Sequence, residues 1–428
     1  MSLILILICL VVLLLTGLPI FAGLGLISVF LLFITEGQIS SLGEIVFGKL
    51  NIYLLVAIPM FAFMAHVMTK SRAVDDLFNT AHTLVRQLPG GLGVATVLSC
   101  TIFAAISGSS VATALTIGST AIPQMKKFGY RLKDTYGVVA AGGTLGILIP
   151  PSGPLILYGV ISETSIGALF IAGLLPGLLL ALVFAVFCIL KNLNVKGVEK
   201  ESRASAAEIF ISLKKSFWAL LLPPLVLGGM YFGVFTATEA AGVGAIAALL
   251  IATIVYKNFT WQDLFESARE TTELTAMLFM ILASAAIFGH VLTVMELPSE
   301  LVASVTKAGV GPIVFILLTM GVIFILGMFL ETIAIILVTT PIILPVLDAL
   351  SIDPVWYGIL LMINLELALI TPPVGMNLFV IKGIAKAPME DVIYGILPYV
   401  LLMFLGLVIV LIFPQLALWL PATMGYGL

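Results

Sequence analysis

Two stretches of this chain, 222 residues apart, carry the same interruption. Gly146 to Leu157 reads GILIPPSGPLIL and Ala368 to Phe379 reads ALITPPVGMNLF; they align without a gap and match Pro150 with Pro372, Pro151 with Pro373 and Gly153 with Gly375. The same offset superposes Ser110 on Thr332, Ala112 on Ala334, Leu115 on Leu337 and Pro123 on Pro345. Earlier still, Met64 to Met68 (MAHVM) echoes Phe288 to Leu292 (FGHVL) at 224, which places a two-residue insertion between the motifs. A duplicated apolar chain broken by Gly and Pro at matching places predicts two copies of one unit, with a site where the helices break.

Composition decides the solvent. With 61% hydrophobic residues, 10% charged residues and a mean hydropathy of +1.25, the chain cannot hide its apolar surface in a water-soluble core. Runs long enough to cross a hydrocarbon layer, about 20 residues each, occur at Leu3 to Ile34, Ile52 to Met68, Ile166 to Leu190, Phe217 to Phe235, Ala237 to Tyr256, Leu274 to Val294 and Ile393 to Leu420. Lipid demands that each segment satisfy its own backbone, and period-two alternation is absent, so an all-α polytopic membrane protein is expected. The first run has no basic region before it, its first positive charge being Lys49, and reads as a retained helix rather than a signal peptide. Cys9, Cys100 and Cys188 lie in apolar segments without paired spacing, which predicts free thiols. A net charge of -3 excludes a broad basic surface, so no nucleic-acid partner is expected; membrane lipid is.

Charge placement predicts orientation. Residues 1–215 contain 14 Lys/Arg and nine Asp/Glu, whereas 216–428 contain five and thirteen. Lys70, Arg72 and Arg86 lead into the first motif and Lys126, Lys127, Arg131 and Lys133 leave it; the matching places in the second half carry Glu296 and Glu300, then Asp348 and Asp353, with Lys307 the only cation. By the positive-inside rule the first pair of loops is cytoplasmic and the second lies outside, so the halves are two inverted repeats, 1–215 and 216–428, with the N-terminus expected in the cytoplasm. Gly91 to Met125 and Gly309 to Leu347 then each begin and end on one side. They are too short for two full spans, which predicts re-entrant helical hairpins over about 91–125 and 309–347, with tips near Ser107-Gly108-Ser109-Ser110 and Gly327 to Thr332. Broken helices are expected over about 134–160 and 355–382. The hydrophilic stretch Lys191 to Lys215, with Lys196, Lys200 and Arg203, reads as a cytoplasmic linker; Gln38 to Lys49 and Asn258 to Glu270 read as interfacial arms.

A helix interrupted in hydrocarbon exposes orphan carbonyls and amides that something must satisfy. Freed carbonyls of Gly146, Ile149 and Pro151, with hydroxyls of Ser107, Ser109 or Ser110, form a hard-oxygen cage without a carboxylate; Ala368, Thr371, Pro373 and Thr332 are its repeat equivalents. Neutral oxygen cages suit Na⁺, whereas proton coupling calls for a titratable group at the centre. The helices restarting at Gly153 and Gly375 turn positive ends toward the same region, which suits a carboxylate, and Ser152 and Asn377 offer polar contacts there. Ser and Gly in membrane helices more often serve close packing; recurrence of tip and break together at one offset favours a site. His66 and His290, also matched, read as structural hydrogen-bonding groups. Glu239 and Glu366 read as interior or interfacial without an assigned role, and Glu331, at the second tip, either orders the tip or contacts substrate hydroxyls, or is a helix N-terminal carboxylate stabilised by the dipole.

At these residues the chain resembles a family. The tip SGSSVAT (Ser107 to Thr113), GILIPPS (Gly146 to Ser152) and ITPPVGMNLF (Ile370 to Phe379) look like the large membrane subunit of tripartite ATP-independent periplasmic (TRAP) transporters, over essentially the whole chain. The resemblance implies a Na⁺-driven elevator in the bacterial inner membrane, in which hairpins and broken helices slide against the remaining helices and arms. It implies two partners: a small four-helix membrane subunit and a soluble periplasmic substrate-binding protein. It places one Na⁺ site on Ser107, Ser110, Gly146, Ile149 and Pro151, a second on Gly327, Thr332, Ala368, Thr371 and Pro373, and substrate on Ser107, Ser152, Asn377 and Glu331. The cargo implied is a carboxylate-bearing organic acid, with sialic acid favoured by overall resemblance alone. A stand-alone Na⁺-coupled C4-dicarboxylate carrier of related hairpin architecture is the alternative. A channel gives no reason for two closed Pro-Pro breaks, and an intramembrane hydrolase lacks a nucleophile paired with a base.

Overall fold

A computed structural model describes residues 5–6, 9–10, 12–13, 16–71, 73–193 and 202–426. Arg72, Lys196 and Lys200, which entered the charge reading above, lie outside them. The described residues form helices and no strand. Among the described residues, eight helical stretches are long and apolar enough to cross a membrane, including Leu132–Ser162, Ile166–Asn192 and Met389–Ile412.

The predicted first run, Leu3 to Ile34, is interrupted. Gly17 takes the left-handed conformation at φ 85°, and Pro19 stands at the N-cap of α1 (Ile20–Glu36), which therefore starts well inside the run. Helix α2 (Leu42–Leu50) follows as a separate arm, and a 3-10 turn over Tyr53–Val56 leads into α3 (Ala57–Lys70) and α4 (Ala73–Val85). Helices α5 (Gly91–Ser107) and α6 (Ser110–Lys127) are joined by two residues. Next come α7 (Leu132–Gly143), the short α8 (Leu145–Leu148), α9 (Gly153–Ser162) and α10 (Ile166–Asn192).

The predicted linker is mostly helix at both ends. Lys191 belongs to α10 and bonds Asp134 at 2.7 Å. Helix α11 (Ala206–Tyr231) already contains Lys214 and Lys215, because Ser205 and Glu208 close a capping box that starts it. Helix α12 (Ala237–Leu250) ends in a π turn, and α13 (Trp261–Val294) runs from the second predicted arm into the membrane span without a break, unlike α2 and α3. The rest are α14 (Leu297–Lys307), α15 (Pro312–Gly327), α16 (Thr332–Ala349), α17 (Pro354–Leu369), α18 (Met376–Ala385), α19 (Met389–Ile412) and α20 (Gln415–Thr423).

Burial sorts these helices. The stretch Leu132–Ser162 is almost wholly buried, whereas Ala206–Tyr231 is mostly exposed or half-buried. In α17 every residue from Val355 to Leu369 is buried. Helices apolar on all faces belong at the centre of a membrane bundle, and α7, α8 and α17 sit there. Helix α7 crosses α19 where a Cβ on Gly137 would lie 2.1 Å from the Gly395 carbonyl oxygen, so two glycines set how closely these helices approach. On the other flank α13 packs along α1, α2 and α3, and α12 packs along α3. The two matched histidines tie that flank together. His66 on α3 reaches Glu270 on α13 at 3.0 Å, and His290 on α13 reaches Glu36 on α1 at 2.7 Å. Lys70 bridges to Glu266 and Glu270 of α13 at 3.1 and 3.0 Å. Glu239 is exposed at the start of α12, where its carboxylate closes a capping box with Thr236.

Candidate functional site: two helix breaks and two helix turns

The first break is built by two prolines and a cap. Ile149 leaves the helical conformation at ψ 118°, Pro150 and Pro151 cannot donate backbone hydrogen bonds, and the chain re-enters a helix at Gly153. Ser152 caps α9, its Oγ accepting from the Leu155 amide at 3.3 Å. The turn between α5 and α6 lies directly on this break. Gly108 has φ 59°, and a Cβ there would lie 2.3 Å from the Pro151 carbonyl oxygen and 3.1 Å from Ser152 Cα. A Cβ on Gly146 would lie 2.5 Å from the Ser109 carbonyl and 2.7 Å from the Ser110 amide nitrogen. Ser107, Ser110, Gly146, Pro151 and Ser152 are therefore brought to one place by α5, α6, α8 and α9. Ile149 borders it, its side chain against Gly177 of α10.

The hydroxyls there are differently employed. Ser107 Oγ and Thr113 Oγ1 share a hydrogen bond of 2.8 Å. Ser109 Oγ caps α6 by accepting from the Ala112 amide at 3.3 Å. Ser110 Oγ donates to Oε1 of Glu366, a side chain from α17.

The last contact adds what the sequence reading did not include, a carboxylate standing behind one of the hydroxyls assigned to the first cage. Glu366 is fully buried, and its second oxygen has no partner among the described residues. The sequence held a signal: Glu366 is the one charged residue between Pro354 and Phe379, two positions before Ala368. Thr113 was also missed, because a threonine in a membrane helix bonds its own backbone far more often than a neighbour.

The second break spans Ile370 to Gly375, between α17 and α18. The turn leading into α16 meets it in the same manner, since a Cβ on Gly327 would lie 2.7 Å from Ala368 Cβ. Thr371 Oγ1 is turned back onto the Leu367 carbonyl at 2.6 Å. Among the described residues the Thr332 hydroxyl has no partner, and neither polar atom of the Asn377 side chain has one, although both side chains are buried. Glu331 stands at the N-cap of α16, where a carboxylate meets the positive end of the helix dipole, and its side chain makes no capping hydrogen bond. No hydrogen bond among the described residues joins Asn377 or Glu331 to Ser107 or Ser152. The two breaks differ in access. Ile149 to Ser152 are all buried, while Pro373 and Val374 are exposed.

The comparisons with known proteins now decide the family. Residues 7–416 match the family model described as "Tripartite ATP-independent periplasmic transporter, DctM component". The chain belongs to this family. It is 40% identical over 395 residues, 92% of each chain, to the C4-dicarboxylate TRAP transporter large permease protein DctM of Pseudomonas aeruginosa. It is 36% identical over 421 residues, 97% of each, to the sialic acid TRAP transporter large permease protein SiaM of Vibrio cholerae. In fold it is similar to the YdaH transporter of Alcanivorax borkumensis, with a TM-score of 0.63 at 15% identity over 91% of this chain and 89% of that one. This TRAP large permease is thus a multi-pass secondary transporter subunit and not an enzyme. Membership in a tripartite family implies a small membrane subunit and a periplasmic binding protein as its partners.

Proposed function

We propose that this permease imports a carboxylate-bearing organic acid together with Na⁺, in a bacterial inner membrane. The observation that carries the reading is the set of buried polar atoms left without partners where helix breaks and turns meet: Thr332 Oγ1, both polar atoms of Asn377 and one Glu366 oxygen. An unpaired buried polar group costs about 1–3 kcal/mol, and a bound cation or substrate at the breaks would offset that cost. Ser107, Ser110, Gly146, Ile149 and Pro151 would hold one Na⁺, and Gly327, Thr332, Ala368, Thr371 and Pro373 the other. Substrate would lie against Ser107, Ser152 and Asn377, with Glu331 at the more open second turn. No Lys or Arg lies in these motifs, so hydroxyls, an amide, helix N-termini and the co-transported cations would hold the carboxylate, and cargo and cation would be released together.

Motion is proposed as an elevator. The turns and breaks (α5 to α9, α15 to α18) slide against α1, α2, α3, α11, α12 and α13, the periplasmic binding protein delivering substrate and the small subunit widening the stationary part. Inverted repeats, 1–215 and 216–428, supply the two access states.

The reading is tested by uptake into proteoliposomes holding the permease, its small subunit and its binding protein, under an inward Na⁺ gradient or K⁺ alone. Uptake that needs Na⁺ is expected; equal uptake in K⁺ overturns it. Sialic acid and a C4-dicarboxylate are to be offered in parallel. The sialic acid expectation rests on overall resemblance, and the relative named for C4-dicarboxylates is 40% identical against 36% for the one named for sialic acid. Two Na⁺ with a monocarboxylate move net positive charge inward, worth about 2.3 kcal/mol per 100 mV for each charge, so sialic acid uptake is expected to rise with an inside-negative potential.

A further inference from the structure

Glu366 is the one fully buried carboxylate among the described residues, and no Lys, Arg or His pairs with it. It comes from α17, yet its hydrogen bond goes to Ser110, the first residue of α6, in the other half of the chain. The Ile147 backbone also acts on this carboxylate, whose second oxygen is buried with no hydrogen-bond partner among the described residues. A charge so placed is retained at large cost unless a positive partner stands near it. The position 222 residues earlier is Thr144, whose hydroxyl bonds back to the Ala141 carbonyl at 2.6 Å. The carboxylate therefore belongs to one site only.

Direction of the hydrogen bond gives the role. A hydroxyl has one hydrogen and two lone pairs. Because the Ser110 hydrogen is committed to Glu366, both lone pairs of Ser110 Oγ are free to face a cation beside Gly146, which packs against the Ser110 amide. Without a carboxylate behind it the hydroxyl could turn its hydrogen into the site. Outer partners that fix ligands in this way typically change metal affinity by about 10–100-fold when removed.

We infer that Glu366 is a positioning residue for the cation site at the first break: from the second half of the chain it orients Ser110 and supplies the negative charge that balances the bound ion. The inference rests on the Na⁺ reading proposed above and adds a residue to it. It also gives occupancy of the first break a direct link to α17, which leads two residues later into Ala368 at the second break.

The test is a Na⁺ titration of thermal unfolding on the purified permease with its small subunit, at constant ionic strength with K⁺ as the replacement ion. Wild-type protein is expected to be stabilised by Na⁺ with a defined midpoint. Glu366→Gln keeps the volume and an oxygen to accept from Ser110 but removes the charge, and its midpoint is expected at least tenfold higher. Glu366→Asp keeps the charge and is expected between the two. A Gln variant with the wild-type midpoint, or an Asp variant no better than Gln, overturns the inference while leaving the Na⁺ reading intact. Wild-type protein that responds alike to Na⁺ and K⁺ overturns both. Should Glu366→Gln fail to assemble, Ser110→Ala is measured in its place, and a wild-type midpoint there overturns the inference as well.

Discussion

At the scale of single residues, stability and function are expected to respond in opposite directions. Asn377 is fully buried on the first turn of α18 with neither amide atom paired. If that amide served packing, an apolar replacement would lower stability. If it waits for substrate, Asn377→Leu removes an unsatisfied group, and unfolding temperature in the absence of substrate should stay level or rise while uptake falls at least tenfold. Thermal unfolding and uptake on one preparation separate the cases. Ser107 gives a different test, in which a small loss of stability accompanies a large loss of function. Its hydroxyl touches Thr113 and the tip backbone, so Ser107→Ala forfeits about 1 kcal/mol of stability but is expected to abolish uptake with expression near wild type. Wild-type transport by Ser107→Ala would remove the turn between α5 and α6 from the site.

At the scale of elements, the meeting of turn and break has little tolerance. Gly108 combines a positive φ with a carbonyl oxygen 2.3 Å from where a Cβ would stand, so Gly108→Ala must push the turn off Pro151. Strain of this kind costs of order 1–3 kcal/mol, and uptake is expected to collapse because Ser107, Ser110 and Pro151 no longer converge. Gly383→Ala, in the second half of α18, is the control. Nothing lies within 4 Å of its Cβ position and its φ is not positive, so uptake should remain near wild type. Equal loss in both variants, read by uptake per assembled permease, would mean that the close fit at Gly108 is not what matters. These elements were also the legible part of the sequence. Pro-Pro and Gly punctuate the chain by rules local to a few residues, which is why the breaks at Ile149 to Ser152 and Ile370 to Gly375 could be placed without coordinates. The split at Gly17 to Pro19 uses the same chemistry but was hidden inside a longer hydrophobic run. The Ser110–Glu366 bond could not be read at all, because its partners are 256 residues apart and no periodicity connects them.

At the scale of the whole molecule, the elements repeat in order while the charges do not. Helices α5, α6, α7 with α8, α9 and α10 recur 222 residues later as α15, α16, α17, α18 and α19, each within a few residues of the shifted bounds. Lys126 and Lys127 close α6, whereas Asp348 lies at the end of α16. If charge sets orientation, these two helix ends lie on opposite sides of the membrane. The prediction is read with single cysteines in a background lacking Cys9, Cys100 and Cys188. Lys127→Cys is suitable because Lys127 is exposed. Asp348→Cys is preferred to a substitution at Asp353, whose carboxylate caps α17 through the Val355 and Trp356 amides at 2.7 and 3.0 Å. A membrane-impermeant thiol reagent applied to intact cells is expected to label Asp348→Cys at once and Lys127→Cys only after the membrane is opened. Labelling of both from one side would make the repeats parallel. A parallel pair presents both breaks to the same solution, so the sliding of one set of helices against the other would lose the symmetry that exposes the site alternately to the two sides.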